Sequence, residues 1–231
     1  MAAPHLDEYF RVQTELVGEA AELMGDPLGY IMMLGNPTKL EEFRQAQAKK
    51  VEQLREITGK SFDHHDINSN SVLEVGESQV LFAHFVERLV QFWTNIACND
   101  IMKAVAKKTE MIKTMIGDDP AKLKEVEDKL AEELEKARQN IIATFAERRE
   151  AYTSDKAAKD AAAFAVLDKD GDGKLTKEMV VEGLTPKTDT HYLFMVALGM
   201  STKEEVEEEK KAEAQRDLCA AGAQAGFQAA G

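Results

Sequence analysis

Two twelve-residue stretches, beginning at Asp66 and at Asp168, constrain this chain more than any other feature. They read DINSNSVLEVGE and DKDGDGKLTKEM. Each sets a carboxylate or carboxamide at positions 1, 3 and 5, a leucine at 8 and an oxygen-bearing side chain at 9. A hard cation such as Ca²⁺ takes six to eight oxygens at about 2.3–2.6 Å, and a short turned loop supplies them from alternate side chains. A backbone carbonyl at position 7 and both oxygens of a carboxylate at position 12 complete such a shell. The candidate ligands in the first stretch are Asp66, Asn68, Asn70, the Val72 carbonyl, Glu74 and Glu77. In the second they are Asp168, Asp170, Asp172, the Lys174 carbonyl and Thr176.

The two stretches depart from that scheme in different ways. The first keeps Glu77 at position 12 but has neutral amides at 3 and 5, and Ser71 where glycine would permit a sharp turn. A positive φ at serine costs about 1 kcal/mol, which is tolerable. The second has three aspartates and Gly173 at the turn, but Met179 at position 12. Glu178 comes one residue early, about 100° round a helix from the required direction, and Glu182 nearly a turn too late. Losing position 12 removes two oxygens at once, so the first stretch is expected to be the tighter Ca²⁺ site. The second is expected to be weak, or better suited to Mg²⁺ with water filling the shell.

These residues resemble the calcium-binding loops of the EF-hand family. Phe62 and Phe164, four residues before each loop, add to the resemblance, which covers about 55–85 and 155–185. It implies that the loops pair, with Leu73 and Leu175 at position 8 meeting in a short antiparallel bridge. It also implies that ion binding changes helix angles and passes the change to a protein partner.

Between the loops the sequence is almost entirely helical in pattern. One segment runs from about Glu77 to Ile116, its early face crowded by Leu81, Phe82, Phe85, Leu89, Phe92, Trp93 and Ile96. A second, over about 120–166, repeats Leu123, Val126, Leu130, Leu134, Ala137, Ile141 and Phe145 at steps of three and four, close to a heptad seam. Gly117-Asp118-Asp119-Pro120 stops one and starts the other, so the two are expected to form an antiparallel hairpin with arms of about 50–60 Å.

The expected architecture is therefore all-α: an EF-hand pair with a long antiparallel helical hairpin inserted between the hands. Residues 1–37 form an N-terminal helical segment, 38–95 the first hand with its entry and exit helices, 96–150 the extended hairpin, 151–190 the second hand, and 191–231 C-terminal helices and an Ala/Gly-rich tail. Thr38 with Glu41, and Ser201 with Glu204, read as capping boxes. The apolar run His191–Gly199 is expected to dock on the hands, and Trp93 to lie in a core. His64 and His65 face different ways on a helix and read as helix-end polar groups rather than a transition-metal site.

The net charge of −13 opposes nucleic-acid binding, which needs basic surface to displace counterions. No run reaches 18 uninterrupted apolar residues, so no transmembrane segment is expected. The N-terminal residues lack the pattern of a secretory signal, and Cys98 and Cys219 are two distant thiols; both point to a cytoplasmic protein. No nucleotide, hydrolase or metalloprotease motif occurs, so the chain does not read as an enzyme. The function these features imply is a Ca²⁺-responsive sensor or adaptor acting through an unidentified protein partner. The alternative is a structural or assembly subunit whose hands are static or partly empty and whose hairpin does the binding.

Overall fold

The computed structural model describes residues 4–25, 33, 36–116, 120–212 and 214–215. The described residues are all-α apart from two very short strands. Helix α1 spans Pro4–Gly25 and α2 Pro37–His65; strand β1 is Val72–Leu73; α3 spans Val75–Ile116, α4 Pro120–Ser154 and α5 Lys156–Leu167; strand β2 is Leu175–Thr176; α6 spans Lys177–Leu184 and α7 Asp189–Leu198. A further helix, α8, covers 203–212. The chain divides into two compact units, Met1–Val86 with Asp155–Gly231, and Glu87–Ser154.

Capping chemistry sets most of the helix ends, not always where the sequence pattern places them. Asn36 rather than Thr38 caps α2: its side chain accepts the Lys39 N–H at 3.2 Å, and Pro37 occupies the first turn, where a missing N–H costs nothing. The second capping box is shifted by one residue. The Thr202 hydroxyl accepts the Glu205 N–H at 3.1 Å, and the Glu205 carboxylate accepts the Thr202 N–H at 2.9 Å. The segment expected to run unbroken over 120–166 is interrupted at Asp155, which leaves helical geometry at φ −126°, ψ 34°. Immediately before it, the Thr153 and Ser154 hydroxyls donate back to the carbonyls of Arg149 and Ala151, the local competition that weakens a helix where such residues cluster. The break at Gly117–Asp119 and the segment around Asp26–Met32 fall outside the described residues.

In the first unit α1 packs on α2, α2 on α6, α5 on α7, and α6 on α7. Its core is aromatic at the centre. Phe194 of α7 meets the rings of Phe82 and Phe85 at 5.3 and 5.7 Å, and Phe85 also meets Tyr9 and Phe10 of α1. The apolar run His191–Gly199 thus docks into its own unit, as its composition requires. Tyr9 is buried, and its hydroxyl donates to the Leu184 carbonyl at 2.5 Å; burial raises its pKa. A Cβ at Gly183 would stand 2.3 Å from a Leu167 methyl, so any larger residue there would have to displace the buried Leu167 side chain. Asp160 is buried beside Lys156, whose ammonium also donates to the Gln79 carbonyl at 3.4 Å.

The second unit is built on one stripe of α4. Leu130, Leu134 and Tyr152 are buried, while Val126, Ala137, Ile141 and Phe145 are half-buried, in the order of the heptad-like pattern. Trp93 of α3 stacks on Phe145 with rings 6.3 Å apart and nearly parallel, and Arg149 pairs with Glu87 at 2.8 Å. Trp93 is half-buried rather than enclosed.

Candidate metal centre

The two loops are alike in backbone as well as in sequence. Each leaves its helix the same way: the Asp66 N–H donates to the Phe62 carbonyl at 2.9 Å, and the Asp168 N–H to the Phe164 carbonyl at 2.8 Å. The two aspartates have matching φ and ψ, near −75° and 77°. Positions 4 and 6 are left-handed in both, at Ser69 (φ 56°) and Ser71 (φ 66°) in one and Gly171 (φ 71°) and Gly173 (φ 79°) in the other. Ser71 therefore adopts the strained conformation that its position demands, and Ser69 does so as well. β1 and β2 pair antiparallel, with Leu73 opposite Leu175 and Val72 opposite Thr176. Both leucines are fully buried.

In the first loop the side-chain oxygens face inward because backbone N–H groups hold them there. Asp66 accepts from Asn70 (3.0 Å) and Ser71 (2.8 Å), Asn68 from the Asn70 N–H (3.0 Å), and Asn70 from the Val72 N–H (3.0 Å). Glu77 folds back over the loop: one carboxylate oxygen accepts from Ile67 (3.0 Å) and Asn68 (3.4 Å), the other from Glu74 (3.1 Å). Glu74 also accepts from the Asn70 amide at 3.4 Å.

The second loop repeats the scheme as far as position 5. Asp168 accepts from Asp172 (3.2 Å) and Gly173 (3.0 Å), Asp170 from Asp172 (3.4 Å), and Asp172 from Lys174 (2.8 Å). One carboxylate oxygen from each of Asp168, Asp170 and Asp172 lies within 4.8 Å of the others. Two oxygens on opposite sides of a Ca²⁺ stand about 4.8 Å apart, so this donor set fits a hard cation. Beyond position 5 the loops diverge. The Thr176 hydroxyl is committed to capping α6, accepting the Met179 N–H at 3.4 Å. Glu182 is bound by Lys169 at 2.7 and 2.8 Å and by the Thr190 hydroxyl at 2.7 Å, and the Lys169 ammonium, then Thr190, hold its pKa below the usual carboxylate range. Glu178 lines a surface cleft between α2 and α6 with Glu52, Arg55 and Glu56. Neither glutamate substitutes for the one absent at position 12.

Two features of this site are not legible in the sequence. One is the Lys169–Glu182–Thr190 chain, which ties position 2 of the second loop to α7; nothing in the local spacing announces a contact between residues so far apart. The other is the partner of His65. Its ring meets His84 of α3, 3.1 Å between Nε2 and Nδ1, and burial, before any charge effect, keeps its pKa below the ordinary imidazole value. No family model, curated protein or solved structure matches this chain.

Among the described residues no helix is long and apolar enough to cross a membrane.

Proposed function

We propose that this chain is a calcium-responsive protein of the EF-hand type, with one pair of hands joined by a long helical hairpin. The observation that carries this reading is the pairing of two loops of the same backbone shape through Leu73 and Leu175, each with its oxygen side chains already held inward. The first loop carries the Ca²⁺ response. Asp66, Asn68, Asn70, the Val72 carbonyl, Glu74 and Glu77 offer the donors, and Glu77 links the ion to the start of α3. The second loop offers Asp168, Asp170, Asp172 and the Lys174 carbonyl, with Thr176 near them. It is the weaker site, and Mg²⁺ with its retained waters competes there.

The charge of the whole chain, −13, favours attraction of cations and disfavours nucleic acid. The output is a change in the helices flanking the first loop, conveyed to a protein partner in the cytoplasm. Titration calorimetry with Ca²⁺, repeated with Mg²⁺ as competitor, tests the proposal: one tighter and one weaker step are expected, and absence of Ca²⁺-specific heat overturns it.

The commitment of Thr176 and Glu182 elsewhere favours a second reading, in which the pair is a static folding device and the hairpin does the binding. A sensor changes Trp93 fluorescence or apolar-dye binding on adding Ca²⁺; a static scaffold leaves both unmoved.

A further inference from the structure

Four of the five histidines of this chain come together although they lie on three helices. His5 of α1 meets the ring of His64 at 6.1 Å, His64 meets His65 at 5.2 Å, and His65 meets His84 of α3 at 5.3 Å. His65 is buried, and its Nδ1 lies 2.7 Å from the Ser61 carbonyl. A carbonyl only accepts, so Nδ1 carries the hydrogen, and Nε2 of the neutral ring presents a lone pair. That lone pair faces His84 Nδ1 at 3.1 Å. A backbone carbonyl that fixes the tautomer and aims the opposite nitrogen is the support that metal-binding histidines use.

We propose that His65 Nε2 and His84 Nδ1 form the nucleus of a transition-metal site of Zn²⁺ type, separate from the oxygen donors of the loops. Zn²⁺ binds imidazole nitrogen at about 2.0–2.1 Å, which places two such nitrogens about 3.4 Å apart in a tetrahedral shell. The observed 3.1 Å needs to open by only a few tenths of an ångström. As the ion enters, the proton on His84 Nδ1 leaves and one is taken up at its Nε2, so both rings stay neutral and no net proton is released. Water fills the rest of the shell. The site lies in the last turn of α2, where the helix dipole favours a cation. Imidazole selects Zn²⁺ over Ca²⁺ and Mg²⁺, so the site does not depend on the calcium reading of the loops. Because His65 ends α2 and His84 lies on α3, the metal would fasten together the helices on either side of the first loop.

The test is a Zn²⁺ titration of the full chain in excess Ca²⁺, followed by calorimetry and by long-range ¹⁵N spectra of the imidazoles. One equivalent of Zn²⁺ is expected to bind, with the His65 Nε2 and His84 Nδ1 signals shifting. His84→Gln is expected to weaken binding about tenfold or more, and Asp170→Asn to leave it unchanged. No binding, shifts confined to other nitrogens, or loss of binding in Asp170→Asn with His84→Gln unaffected would each overturn the proposal. Should His84→Gln fail to fold, the imidazole spectra of the unaltered protein decide alone.

Discussion

The carboxylate of Glu77 stands 3.0 Å from the backbone nitrogen of Ile67, tying position 12 of the first loop to position 2. The same side chain accepts the Glu74 N–H at 3.1 Å, so the first turn of α3 is anchored to the loop through one residue. Met179, at the matching place in the second loop, has no oxygen to do this.

Replacing Glu77 by glutamine keeps the size and removes the charge and one acceptor oxygen. The tighter Ca²⁺ step is predicted to weaken by about tenfold to a hundredfold, the scale of a charge-assisted interaction. An unchanged calorimetric isotherm would show that Glu77 does not close the site.

Met179→Glu supplies the missing carboxylate at the start of α6, where a negative charge also suits the helix N-terminus. The second step is predicted to tighten by about tenfold. If affinity does not rise, the limiting defect is the commitment of Thr176 to its cap rather than position 12.

Leu175 is fully buried opposite Leu73, whereas Leu193 on α7 is 60% exposed. Leu175→Ala is predicted to destabilise the protein by about 2–5 kcal/mol in urea unfolding, and Leu193→Ala by less than about 0.5 kcal/mol. Equal effects would mean that the strand pair does not organise the first unit.

His191 is buried, its Nδ1 2.8 Å from the Gly183 carbonyl, and burial pushes its pKa down to about 4 from an ordinary 6.5. The unfolded chain therefore binds this proton more readily than the folded one. The contribution, on the order of 3 kcal/mol, is complete above about pH 6.5 and is lost as pH falls toward 4. Thermal unfolding is expected to show that decline. His191→Asn, which keeps a donor for Gly183, is expected to flatten it; an equally steep profile in the variant would assign the acid sensitivity to other groups.

Local chemistry is what the sequence displays most directly. The positive φ at Ser71 follows from its place in the loop, and the structure has it at 66°. The helical stripes are visible in the spacing of Leu130 and Leu134, because burial on one face of a helix recurs every three or four residues. Caps are less legible. Asn36 and Thr38, like Ser201 and Thr202, are all capable acceptors, and which one caps depends on where the chain enters the helix. The break at Asp155 escaped a pattern that continues through it, since periodicity records the faces of a helix and not the competition of hydroxyls for its carbonyls.

What the sequence by itself determined is the helical class of the chain and the oxygen-rich character of its two loops, because both depend on residues close together along the chain. Only the tertiary structure decided that Leu73 lies against Leu175, that Glu182 is held by Lys169 and Thr190, and that His65 faces His84. Those contacts join residues distant in sequence. They form because the helices bury apolar faces against one another, and burial sets which polar groups are then left to meet.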